Sequence, residues 1–131
     1  MKVIRTTLLL VALALVLAAI GCAGTTETGI LQGLVTIGPI EPVERPGVTP
    51  TIPPEVYEAR KVLVYNEAGS RLIKTVDLGP DSRYRVELAP GAYTVDINHL
   101  GVDSSGDVPR QIEIKSAEMV RVDIDIDTGI R

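Results

Sequence analysis

Phenylalanine and tryptophan are missing from this sequence, and its aromatics stop at four tyrosines, Tyr57, Tyr65, Tyr84 and Tyr93. A core without large rings must be built from Val, Ile and Leu, and the β-branched members of that set suit a pleated sheet better than a helical bundle. Cysteine and histidine occur once each, as Cys22 and His99. A single cysteine cannot form an internal disulfide, so packing alone must hold the domain together, even in an oxidising compartment. One histidine and one cysteine also exclude a zinc centre of His and Cys ligands, and no cofactor is expected. Basic residues are scarce: 13 stand against 17 acidic ones, for a formal charge of −4. Setting aside Lys2 and Arg5 near the start leaves 11 against 17. Phosphate backbones need a basic surface, so nucleic acid is excluded as a partner. Apolar runs of bilayer length are absent too. The longest, Leu8 to Ile20, has thirteen residues, whereas a spanning helix takes about 20.

Thirteen is the right size for the core of a signal peptide, and Lys2 and Arg5 precede it as such a leader requires. An ordinary secreted protein with a spare thiol, or an uncleaved anchoring helix, would also account for these features. Ala19-Ile20-Gly21-Cys22 resembles the bacterial lipobox, with Ala19 where leucine is usual. The resemblance implies that residues 1–21 are a lipoprotein signal peptide and that Cys22 is lipidated and becomes the mature N-terminus. Residues 22–29, small and polar, would then form a flexible tether. The partner at this end is a membrane, reached through acyl chains that each contribute about 0.8 kcal/mol per buried methylene. Ala23 stands where an aspartate would favour inner-membrane retention. The expected address is the cell envelope, on the outer face of the plasma membrane or at the outer membrane.

Beyond the leader the period is two. The chain is organised around Asp77 to Asn98, where Tyr84, Val86 and Leu88 alternate with Arg83, Arg85 and Glu87, and Tyr93, Val95 and Ile97 alternate with Thr94, Asp96 and Asn98. Such alternation puts one row in a core and the other in water. Ala89-Pro90-Gly91-Ala92 reverses the chain between them, so the stretch reads as a strand pair around a Pro-Gly turn. Before it, Ile30 to Ile37 forms a first strand with Gly33 marking a bulge. Ala59 to Tyr65 and Arg71 to Leu78 flank a hairpin loop at Asn66 to Ser70. After it come a loop from His99 to Pro109, a strand around Ile112 and Ile114, a turn at Ser116-Ala117-Glu118 and a last strand from Met119 to Asp127. Six of the nine prolines fall within the sixteen residues Pro39 to Pro54. Proline removes the ladder donor, so residues 38–55 should be an extended loop, either a contact surface or a crossover between sheets. The count is seven strands, with no helical period outside the leader. It implies an all-β, Greek-key-type β-sandwich spanning residues 30–131.

Few residues suggest chemistry. Ser104 or Ser105, His99 and Asp103 supply the residue types of a nucleophilic triad, but no Gly-x-Ser-x-Gly elbow presents the serine, and serines beside aspartates in a glycine-rich loop are ordinary turn residues. No enzyme is expected. Asp123, Asp125 and Asp127 lie at strand spacing on one face, neighbours about 6 to 7 Å apart. They are candidate ligands for calcium, although Thr128 occupies the position where an EF-hand loop needs glycine. A solvated acidic face on an edge strand would read the same way, and Asp103 and Asp107 offer a second such set.

The order of landmarks resembles the transthyretin-like, or carboxypeptidase regulatory-like, domain family. Gly33 and Val35, Gly38-Pro39-Ile40-Glu41-Pro42-Val43, Val62-Leu63-Val64-Tyr65, Gly69, Asp77 and Leu88-Ala89-Pro90-Gly91-Ala92-Tyr93 carry the match, which covers about residues 30–98. Glu41 stands where related secreted domains often carry a cysteine paired a few residues on; this chain has neither. The resemblance implies structural roles for Pro90, Gly91 and Tyr93, the last as a hydroxyl that ties a corner to the backbone. It further implies a non-catalytic binding, adhesive or structural module, with an envelope protein or carbohydrate as partner. A small ligand- or calcium-binding accessory lipoprotein is the alternative.

Overall fold

Valine, isoleucine and leucine at every second position build the strands of the computed structural model, which describes residues 27–42 and 45–131. The leader, Cys22 and most of the tether lie outside the described residues. The elements are β1 (Gly29–Gly38), α1 (Pro54–Glu58), β2 (Lys61–Asn66), β3 (Leu72–Asp77), β4 (Arg83–Leu88), β5 (Gly91–Ile97), β6 (Arg110–Ile114), β7 (Met119–Arg121) and β8 (Ile124–Asp127). They form two four-stranded sheets. In the first, β1 is central, with β4 antiparallel on one side and β7 and β8 parallel on the other. The second runs β3-β2-β5-β6, antiparallel throughout. The domain is therefore an all-β sandwich.

Its core lies between the sheets. Leu31, Val35 and Ile37 of β1 meet Tyr84 and Leu88 of β4 and Val122, Ile124 and Ile126 of the last strand; Val62, Val64, Val76, Val95, Ile97 and Ile114 face them from the second sheet. Burying each such aliphatic side chain contributes roughly 1.5 to 3 kcal/mol. The interior is aliphatic apart from the Tyr84 ring, with Tyr57 and Tyr93 packed against it.

The structure departs from the sequence reading in four places. β4 and β5 are not a hairpin: β4 pairs with β1 and β5 lies between β2 and β6, so the Pro-Gly turn carries the chain from one sheet to the other. Alternation identifies the apolar row of each strand, and that row faces the same core whether the two strands are neighbours or stand across from one another.

The proline-rich segment also joins the two sheets, from β1 to β2, but its end is helical. Pro54 begins α1, where a missing N–H leaves no bond unmade, and Glu55 sits in the first turn. Val56 and Tyr57 pack against the core. Five residues are too few to show a helical period.

The expected last strand is two pieces, giving eight strands among the described residues instead of seven. Gln32 lies opposite Arg121 and Val35 opposite Ile124, so the register is the same on both sides of the break. The last strand is interrupted at Val122 and Asp123, not shifted. Finally, Gly33 is no bulge in β1, which pairs with β4 in unbroken register through Gly33 and Tyr84.

Candidate functional site

The interruption in the last strand has a local cause. Val122 N–H still donates to Gln32 O at 2.9 Å, but the Val122 carbonyl accepts from the buried Tyr84 hydroxyl at 2.5 Å. Leu34 N–H takes the Asp123 carboxylate as acceptor instead, at 2.9 Å. Gly33 permits the arrangement, since any β-carbon there would collide with the Val122 carbonyl. That N–H is the main influence holding the Asp123 carboxyl below its usual range, with Arg121 adding to it against a desolvation penalty. Burial pushes the Tyr84 phenol well above the ordinary tyrosine range, Asp123 adds to this and Arg110 opposes it.

Tyr84→Phe tests the seam. The ring stays while the Val122 carbonyl loses its donor, and an unpaired buried group costs about 1 to 3 kcal/mol, measurable by urea denaturation. The folded-state value is raised, so the neutral phenol's contribution is complete below about pH 10 and is lost as pH rises through the folded value. The wild type should lose stability more steeply than the variant in that alkaline range. Equal slopes would contradict the seam.

Asp123, Asp125 and Asp127 share the outward face, but they are bound separately. Arg121 Nε lies 3.0 Å from the Asp123 carboxylate. Asp127 accepts from Arg131 at 2.8 and 3.2 Å and from Gly129 N–H at 2.8 Å; Arg131 is the larger influence lowering its pKa. Asp125 N–H donates to Asp107 at 2.8 Å, which ties the preceding loop to β8. Among the described residues no three His, Cys, Asp or Glu side chains gather as a metal would need.

The loop after β5 contains a cluster the sequence did not reveal. Arg60 grips Asp103 with two bonds, Nε to Oδ2 at 2.8 Å and Nη2 to Oδ1 at 3.1 Å, and its Nη1 donates to Val56 O at 3.0 Å. The Asp103 side chain is only 4% exposed. His99 Nδ1 lies 3.2 Å from the Asp103 carbonyl and Nε2 lies 3.1 Å from Asp96 Oδ1. The Asp103 carboxylate therefore serves Arg60 and not His99. Ser104 pairs through its backbone with Asp127, and Ser105 Oγ accepts from Asp107 N–H at 3.2 Å. The residue types of a triad are close in sequence, but the Asp103 carboxylate is held by Arg60 and His99 Nε2 faces Asp96.

At the corner between the sheets, Tyr93 Oη donates to Ala89 O at 2.7 Å, closing a turn of Ala89, Pro90 and Gly91, whose φ is 155°. Every buried side-chain nitrogen or oxygen among the described residues has a hydrogen-bond partner.

GBS52, the minor pilin of Streptococcus agalactiae, is similar in structure, at 15% identity and a TM-score of 0.53 over 77% of this chain and 44% of that one. The two share a fold. The Bacillus anthracis TIE protein matches at 14% identity and a TM-score of 0.49, over 77% of this chain and 16% of that one. A DUF3823 family protein from Parabacteroides merdae matches at 16% identity and 0.42, over 77% and 46%. The chain spans less than half the length of each. No family model matches it, and no curated protein does.

Proposed function

We propose that this is a non-catalytic, lipid-anchored cell-envelope protein whose β-sandwich, of the transthyretin-like or carboxypeptidase regulatory-like kind, acts as a structural or adhesive module. One observation carries the reading: the proposed anchor leads directly into the central strand of a sheet. Cys22 precedes Gly29, the first residue of β1, by seven positions. A fully extended tether of that length reaches about 25 Å, at roughly 3.3 to 3.6 Å per residue. β1 is bonded on both sides, to β4 and to β7 and β8, so a pull on the lipid is met by ladders on both edges of the strand. The buried ion pair of Arg60 with Asp103 fastens the loop after β5 to the segment between α1 and β2. Residues 1–21 would be removed on export, leaving residues 22–28 as the tether before β1.

Cys22→Ala provides the test. The wild-type protein should carry diacylglycerol and an amide-linked acyl group on Cys22 in mass spectra of the envelope fraction. The variant should lose both and keep residues 1–21, since the cysteine that directs lipidation and cleavage is gone. A wild-type protein with unmodified Cys22, or a variant still cleaved after residue 21, would reject the anchor.

A further inference from the structure

The outward face of the first sheet is polarised. Arg85 and Arg121 flank Gln32 on opposite sides of β1, and Arg83 lies opposite Leu34, one step along the same face. The row becomes acidic from Asp123, which accepts from Leu34 N–H at 2.9 Å and lies 3.0 Å from Arg121 Nε, and it continues with Asp125 opposite Thr36 and Asp127 opposite Gly38. The three arginines line a concavity of about 280 Å³ together with Gln32, Gly33, Leu34 and Tyr84; Asp123 does not line it but is bonded to two residues that do, Leu34 and Arg121.

The guanidinium groups are only partly engaged. Arg85 donates one bond to Gln32 Oε1 at 3.1 Å, Arg121 uses Nε on Asp123, and Arg83 stands 3.6 Å from Asp81. The side chains of Arg83 and Arg121 are 73% and 66% exposed, so water screens both pairs. Each guanidinium carries five N–H donors in a planar fork that matches oxyanions. Donors arrive here from both sides of the central strand, whose neighbours stand about 4.8 Å away on each side. That arrangement suits a tetrahedral phosphoryl group, whose oxygens point out of a single plane, better than a planar carboxylate. The three guanidinium groups outnumber the two carboxylates paired with them, Asp81 and Asp123, and such a local excess of positive charge makes a site even on an acidic protein.

We infer that this concavity binds a phosphate group. Two sources share that chemistry: a soluble phosphate or phosphate ester, and the headgroup of a phospholipid. The second rests on the anchor proposed above, which would hold the concavity within tether reach of a bilayer, since Gln32 is three residues into β1.

The full chain, purified in neutral detergent, is melted in inorganic phosphate and in chloride of equal ionic strength. In parallel it is melted in discs of phosphatidylglycerol and of phosphatidylcholine. Phosphate, phosphatidylglycerol or both should raise the melting temperature relative to the matched control, as a ligand binding only the folded state must. Arg85→Gln, which changes an exposed side chain, should remove at least about half of the rise, since charge-assisted bonds are roughly twice as strong as neutral ones. Arg85→Lys should restore part of it. A rise in phosphate alone assigns the site to soluble phosphates, and a rise in phosphatidylglycerol alone assigns it to headgroups. No rise in either, or a rise that Arg85→Gln leaves intact, overturns the inference. A missing lipid on Cys22 would reject the anchor and leave the inorganic phosphate result standing.

Discussion

Replacing Gly33 with alanine should lower the free energy of unfolding by at least about 3 kcal/mol, at the upper end of what overpacking does. A methyl group there would overlap the Val122 carbonyl oxygen, stand 2.7 Å from its carbon and lie 2.9 Å from Tyr84 Cε1. Two of these three atoms belong to backbone, so no side-chain rotation relieves the collision. The last strand would have to move off β1. That movement stretches Val122 N–H to Gln32 O, Leu34 N–H to Asp123 and Tyr84 Oη to Val122 O together, each worth about 0.5 to 1.5 kcal/mol, and it loosens Val122 and Ile124 in the core. For a domain near 100 residues, 3 kcal/mol corresponds to roughly 12 °C or more in Tm, within easy reach of calorimetry. Gly38→Ala is the matched control on the same strand, because nothing lies within 4 Å of its added carbon. If both variants melted within a few degrees of the wild type, the close approach at Gly33 would be refuted.

Gly33 also shows how far the sequence can be read. A glycine inside an apolar strand marks an irregularity, and that much is local information. Which strand carries the irregularity depends on Val122, 89 positions on, and no spacing rule connects the two. The same boundary recurs elsewhere. Alternation identifies the buried rows, and Val62, Val64, Tyr84, Leu88, Val95, Ile97, Ile124 and Ile126 are all buried. Pairing is a different kind of information, because β4 and β5 present identical patterns whether they are hydrogen-bonded to each other or face across a core. Helix α1 escapes for want of length. Arg83 and Arg85 read as solvent-facing positions, as they are, but only the parallel register of β7 against β1 places Arg121 beside them. Asp103 reads as a loop carboxylate open to a cation; the cation is Arg60, 43 residues earlier.

That pair carries the second large effect. Asp103→Ala is expected to destabilise the domain by about 3 to 5 kcal/mol, since removing one member of a buried pair leaves the other charge uncompensated. The Arg60 side chain is 12% exposed and the Asp103 side chain 4%, so neither recovers much hydration when its partner goes. The pair also holds the loop after β5 against α1 through the bond from Arg60 to Val56 O. The loop in turn supplies Ser104 to the bridge with Asp127, Asp107 to Asp125, and the buried Val108 to the core. Arg60→Met combined with Asp103→Leu removes both charges while filling the space, and a buried pair exchanged for apolar residues of similar volume is often neutral or better. The double variant should therefore be more stable than Asp103→Ala alone. A double-mutant cycle built on Arg60→Ala and Asp103→Ala should give a coupling of about 1 to 3 kcal/mol. Additive losses from the two alanine variants would mean that each side chain acts through its packing, and that the bidentate bridge contributes nothing of its own.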